Sequence, residues 1–201
     1  MNILLPILLG IAGTVAGWIA YRIVGLYSQR QFAIEQHLTL GASTLFWLSL
    51  AVKFGEIPLW ILIYGCFGTV LIAVALFDFR TQRIPLQVTV PGTIAGPILA
   101  AYTLPIGVAG SLAGLLFGGG VLIVTTFIEA ARKKEVGGGD WKYAAMIGSF
   151  VGWPGILTAL IFTGVFGVAA AVALKAQGID SRPQALGPWL SAGALVSVLL
   201  G

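Results

Sequence analysis

The stretch IPLWILIYGCFGTVLIAVALFDFRTQRIP, residues 57–85, runs without a charge from 57 to 77 and then changes character at Asp78. An apolar run of this length is what carries a helix across the roughly 30 Å hydrocarbon core of a bilayer. The acid, the arginines and the Ile-Pro that follow mark a water boundary. The stretch therefore predicts a membrane-spanning helix with a carboxylate at its end.

The rest of the chain repeats the pattern. Its 201 residues are 58% hydrophobic and 9% charged, with a mean hydropathy of +1.00, whereas soluble domains carry roughly 25% charged residues. Apolar runs cover 3–21, 38–52, 57–77, 86–104, 106–128, 143–174 and 186–200. The sixth is too long for one crossing and contains Gly152-Trp153-Pro154-Gly155, a breaker cluster expected to turn the chain back. The expected fold is all-α, a polytopic helical bundle of eight transmembrane helices with both termini outside, in which 38–52, 143–152 and 186–200 are short. The first run lacks a basic n-region and is too long for an h-region, so it reads as a retained helix. No soluble domain fits, because the longest polar stretch, 22–37, is interrupted by apolar residues and is too short to bury a core.

Charge placement supports that count, because Lys and Arg in short loops stay on the cytoplasmic side. With the N-terminus outside, Arg22, Arg30, Arg80, Arg83, Arg132, Lys133, Lys134, Lys142, Lys175 and Arg182 are all inside, and only Lys53 is outside. A wrong count would scatter them. The net charge of +4 then reflects topology and contact with the lipid bilayer, and calls for no nucleic-acid partner. Cys66 is the single cysteine, which excludes a disulfide framework and a CxxC zinc site. Glycines four apart, Gly13/Gly17, Gly110/Gly114/Gly118 and Gly148/Gly152, read as seams of close helix packing. No repeat argues for an inverted-repeat transporter.

Only seven acids occur: Glu35, Glu56, Asp78, Glu129, Glu135, Asp140 and Asp180. Five read as loop or span-end residues near basic partners. Asp78 closes the third span and Asp140 opens the sixth, both at the cytoplasmic boundary and both facing the bundle interior on this reading. A carboxylate at membrane depth costs roughly 2.5–3.5 kcal/mol on insertion scales, so such acids point to function. Two that approach closely cannot both ionise; one serves as general acid and the other as general base for a water attacking a carbonyl. This chemistry needs no metal, cofactor, serine or histidine, and the lone His37 reads as a solvated loop residue. The helix macrodipole favours an anion at an N-terminus, which assigns the more readily ionised role to Asp140 and the more readily protonated one to Asp78. Gly137, Gly138 and Gly139, lacking Cβ atoms, allow a substrate backbone to approach and allow φ > 0 beside Asp140.

These residues resemble the type IV prepilin peptidases, polytopic membrane aspartic proteases of the GxGD kind. Gly137-Gly138-Gly139-Asp140 matches GxGD, and GGGDWKYAAMIGSFVGW, residues 137–153, is similar to the family's GxGDxKxxAxxGxxxGW. ALFDFRTQRIP resembles the first catalytic segment, here with Asp78, Arg83, Ile84 and Pro85. LGPWLSAGA, residues 186–194, is similar to a Gly-Pro-aromatic-Leu signature in the last span, and GTVAGWIAYR, residues 13–22, is a fainter match to the first. The resemblance departs at Leu86, where members usually carry Asn, and at Tyr143, where they usually carry Leu.

The resemblance implies one integral-membrane peptidase domain over 1–201, with the first span and a short cytoplasmic loop in 1–37 and the helical core in 38–201. It implies Asp78 and Asp140 as catalytic acids, with Gly137 to Gly139, Lys142, Arg83 and Pro85 shaping the site or binding substrate. The expected substrates are prepilin-like membrane proteins, type IV pilins or pseudopilins, whose short basic leader is removed at the cytoplasmic face of the inner membrane. Residues 22–37 hold no cysteine, where many members carry paired CxxC motifs associated with N-methylation, so the expectation is peptidase activity without methyl transfer. The rival reading is a transporter or proton- or cation-conducting protein using Asp78 and Asp140. Against it stands the near-absence of charge inside the spans.

Overall fold

The computed structural model describes residues 4–28, 33–55, 57–131, 138–177 and 185–201, without the side chains of 129 and 130. Among the described residues there are seven α-helices and no strand: α1 Leu4–Ser28, α2 Ala33–Phe54, α3 Pro58–Thr81, α4 Leu86–Tyr102, α5 Gly107–Ala131, α6 Asp140–Ala176 and α7 Gly187–Leu200. Helix is the expected state for such apolar segments, since it satisfies every backbone group within one segment. Four of them, α1, α3, α5 and α6, are long and apolar enough to cross a membrane.

Helices α1, α2, α3, α5 and α6 overrun the apolar runs. Hydropathy detects the stretch that tolerates lipid, whereas backbone hydrogen bonding continues into polar sequence beyond it. Arg22, expected in a loop, lies within α1, and His37, also expected in a loop, is an exposed residue of α2.

The chain forms two compact units, Met1–Gln82 and Arg83–Gly201. In the first, α1 packs on both α2 and α3, and α2 packs on α3. A Cβ on Gly13 would come within 2.9 Å of the Thr44 Cα, and one on Gly17 within 2.9 Å of the Ser43 Cβ, so this pair is a packing seam as expected. Pro58 opens α3, where its missing N–H costs nothing. Gln82 ends α3 in the left-handed conformation, φ 52°, and donates its N–H to the Asp78 carbonyl at 2.7 Å.

In the second unit α6 is broken in the middle. Gly152 (φ 66°, ψ −170°) and Trp153 (φ −94°, ψ 127°) are non-helical, and the peptide before Pro154 is cis. The Gly152 conformation is one essentially only glycine adopts. Beyond the break the chain returns alongside itself, as the sequence predicted. Gly118 of α5 lies against Ala144 before the break and Ile156 after it, and Gly114 lies against both Gly148 and Gly152. Hydroxyls serve carbonyls near the break: Ser111 donates to the Ser149 carbonyl at 2.6 Å, and Ser197 to that of Gly155 at 2.7 Å.

The first limb of α6, residues 140–151, is only about 18 Å long at 1.5 Å per residue, too short to cross a bilayer core. Residues 143–152 are buried without interruption, as in a helix apolar on every side. It is the core of its unit, enclosed by α4 through Gly92 and Gly96, by α5 through Gly114 and Gly118, and by α7 through Ser191.

Candidate active site

In the first unit, Asp78 sits in the last turn of α3 and is 4% exposed. Two residues on, Arg80 points to another face, since positions two apart do not share one. Its Nε donates to Glu35 Oε2 at 2.8 Å, its Nη2 also reaches Glu35, and its Nη1 donates to Ser28 Oγ at 2.8 Å. The guanidinium lies 5.4 Å from the centre of the Tyr21 ring. With side-chain exposures of 5% and 20%, Arg80 and Glu35 form a largely buried pair that ties together residues from α1, α2 and α3 beside Asp78. Arg80, expected in a loop, lies in the last turn of α3 and is occupied within the protein. Arg83 is in the exposed connection before α4.

The second unit gathers three of the singled-out segments around the start of α6. Pro85 caps α4, φ −72°, and its carbonyl accepts the N–H of Val88 at 3.1 Å and of Thr89 at 3.2 Å. Ile84, just before it, abuts Gly139: a Cβ there would lie 3.1 Å from the Ile84 Cβ and 3.7 Å from its backbone nitrogen. Gly139 is the cap of α6, and Asp140, half-buried, is the first helical residue. The acid therefore occupies the end of the helix favoured for negative charge. Lys142 holds its Nζ 5.3 Å from the centre of the Trp141 ring. Tyr143 is wholly buried. Its N–H donates to the Gly139 carbonyl at 3.0 Å, and its hydroxyl lies 2.6 Å from Ser191 Oγ, which donates to the Gly187 carbonyl at 2.8 Å. The GxGD segment thus touches the Ile-Pro segment on one side and the Gly-Pro-Trp-Leu segment on the other.

One expectation about the glycines is corrected. Gly139 has φ −85°, and the described glycines with positive φ are Gly107 and Gly152. Gly139 is at a helix cap already in helical geometry, so close approach to Ile84, rather than a left-handed turn, is what its missing Cβ allows. Gly138 is exposed with open space around it. Gly137 lies outside the described residues, as do Arg30, Glu56, Arg132, Lys133, Lys134, Glu135, Asp180 and Arg182.

Sequence reasoning missed the Glu35–Arg80 pair, the Ile84 contact and the Tyr143–Ser191 bond. Only the last left a signal, in that Tyr143 is a departure from the family pattern.

The sequence profile of the type IV leader peptidase family matches residues 65–172, a range that holds both acids. The chain is similar to the leader peptidase HopD of Salmonella typhimurium, with 30% identity over 68% of this chain and 90% of the relative. It is similar to the prepilin leader peptidase/N-methyltransferase of Dickeya chrysanthemi, with 31% identity over 67% of this chain and 49% of the relative. The protein of the same description from Escherichia coli is 27% identical over 68% of this chain and 60% of its own length. The matched region thus spans about half to three-fifths of these last two relatives. No solved structure matches the chain.

Proposed function

We propose, from the premise that this chain belongs to the type IV leader peptidase family, that it is a membrane aspartic endopeptidase acting on prepilin-like precursors. The observation that carries the reading is the extent of the family match, residues 65–172, which includes Asp78, Gly138, Gly139 and Asp140. The local settings agree with it: one carboxylate is buried in the last turn of a long apolar helix, and another opens a short, enclosed one.

On this reading Asp78 and Asp140 share a water. Asp140, at a helix N-terminus, is the general base that takes its proton, and Asp78 is the acid that protonates the leaving amine. The water oxygen adds to the scissile carbonyl, the C–N bond breaks, and the leader departs with the new carboxylate. Lys142, Arg83 and Pro85 shape the site or bind substrate, and Gly138, with open space around it, leaves room for an extended substrate. No metal or cofactor takes part. The protein spans the inner membrane eight times with both termini outside, and the acids act at the cytoplasmic face, where the basic leader of a type IV pilin or pseudopilin lies. HopD is a leader peptidase by description, and we assign the same class of reaction to this chain.

The test is incubation of the purified protein with a prepilin-type substrate. Wild type is expected to release the leader, and Asp78→Ala and Asp140→Ala each to lose at least about a hundredfold in rate. Equal cleavage by the alanine variants would end the proposal.

A further inference from the structure

We propose that Tyr143 and Ser191 form a positioning pair that sets Asp140 in place; this rests on the reading of Asp140 as a catalytic acid. The first turn of α6 starts without a side-chain cap, because its cap residue is Gly139. Uncapped helix ends fray, and a residue there holds a fixed direction only if tertiary contacts supply the anchor. Tyr143 supplies such a contact with its hydroxyl. Its N–H closes the first helical hydrogen bond onto the Gly139 carbonyl at 3.0 Å, so the closed ring contains Asp140. Its hydroxyl is fixed 2.6 Å from Ser191 Oγ on α7, and Ser191 is fixed in turn to the Gly187 carbonyl at 2.8 Å.

Asp140 and Tyr143 are three apart, the spacing that puts two residues on one helix face. Rotation of the first turn, which would swing Asp140, has to drag a wholly buried phenol away from its partner. The pair thereby joins Asp140 to the start of α7. It also gives the departure at Tyr143 a purpose, since a leucine there has no hydroxyl with which to hold α7.

The experiment measures steady-state cleavage of a prepilin-type substrate and thermal unfolding for wild type, Tyr143→Phe, Ser191→Ala, the double variant, Ser191→Thr and Asp140→Asn. The proposal expects each single variant to lose about three- to tenfold in kcat with KM within about twofold, because misplaced groups cost rate rather than binding. It expects the double variant to be no worse than either single one, and Ser191→Thr, which keeps the hydroxyl, to recover most of kcat. Wild-type kcat in both Tyr143→Phe and Ser191→Ala, with only the melting temperature lowered, would make the bond a structural brace and overturn the proposal, as would additive losses in the double variant. Asp140→Asn separates the two levels: if it is inactive while Tyr143→Phe is fully active, the positioning role alone fails. If Asp140→Asn cleaves normally, the reading of Asp140 fails, and this proposal with it.

Discussion

Gly139 lies against Ile84, so closely that a methyl group on Gly139 would stand 3.1 Å from the Ile84 Cβ. The contact sets the residue before Asp140 against the residue before the Pro85 cap of α4. Ile84 meets it with its branched carbon, which has little freedom to retreat. Gly139→Ala is therefore expected to destabilise the protein by about 1–2 kcal/mol through overpacking and to slow cleavage. Adding Ile84→Ala should recover part of both losses. Thermal melts and initial rates of the single and double variants check this; a Gly139→Ala protein equal to wild type in both would refute it.

The Glu35–Arg80 pair should matter to stability more than an exposed ion pair does. Both groups are mostly removed from water, and loss of one partner strands the other. Glu35→Ala is expected to cost about 2–3 kcal/mol, read as a lower melting temperature in detergent. Arg80→Lys should recover little of the loss seen in Arg80→Met, because an ammonium cannot serve Glu35, Ser28 and the Tyr21 ring together.

Gly152 makes the reversal of α6 possible. At φ 66° and ψ −170°, with a Cβ position only 3.0 Å from the Ile106 Cβ, Gly152→Ala is expected to cost about 2–3 kcal/mol from backbone strain and crowding together. The yield of folded protein and its melting temperature report the loss, and an unchanged melting temperature would contradict it.

How much of this the sequence discloses depends on the range of the forces involved. Asp78 and Asp140 stand out because a carboxylate at the edge of an apolar run is costly wherever the chain goes afterwards. The reversal at Gly152-Trp153-Pro154-Gly155 is legible because glycine and proline act on the local backbone. The helix ends are not, since hydropathy is silent where α1 runs on to Ser28 and α2 starts at Ala33. Contacts between distant residues are hidden as well: Arg80 and Glu35 are 45 positions apart, and Tyr143 and Ser191 are 48. Triple glycines permit a left-handed turn without requiring one, which is why Gly139 could be expected to have positive φ and does not.

The proposed chemistry uses carboxylates alone, so chelation should leave it untouched. Cleavage of a prepilin-type substrate is expected to be the same, within about twofold, after exhaustive EDTA treatment and without added divalent ions. A loss of activity restored by zinc or another divalent cation would contradict the two-carboxylate mechanism.

The most direct test of the central claim is the N-terminus of a candidate pilin or pseudopilin, read by mass spectrometry in cells whose only leader peptidase is this protein. Expression of wild type is expected to yield the shortened N-terminus. Asp78→Asn and Asp140→Asn, present in the membrane at wild-type level, should each leave the leader in place. Processing by either variant at the wild-type rate would contradict the account.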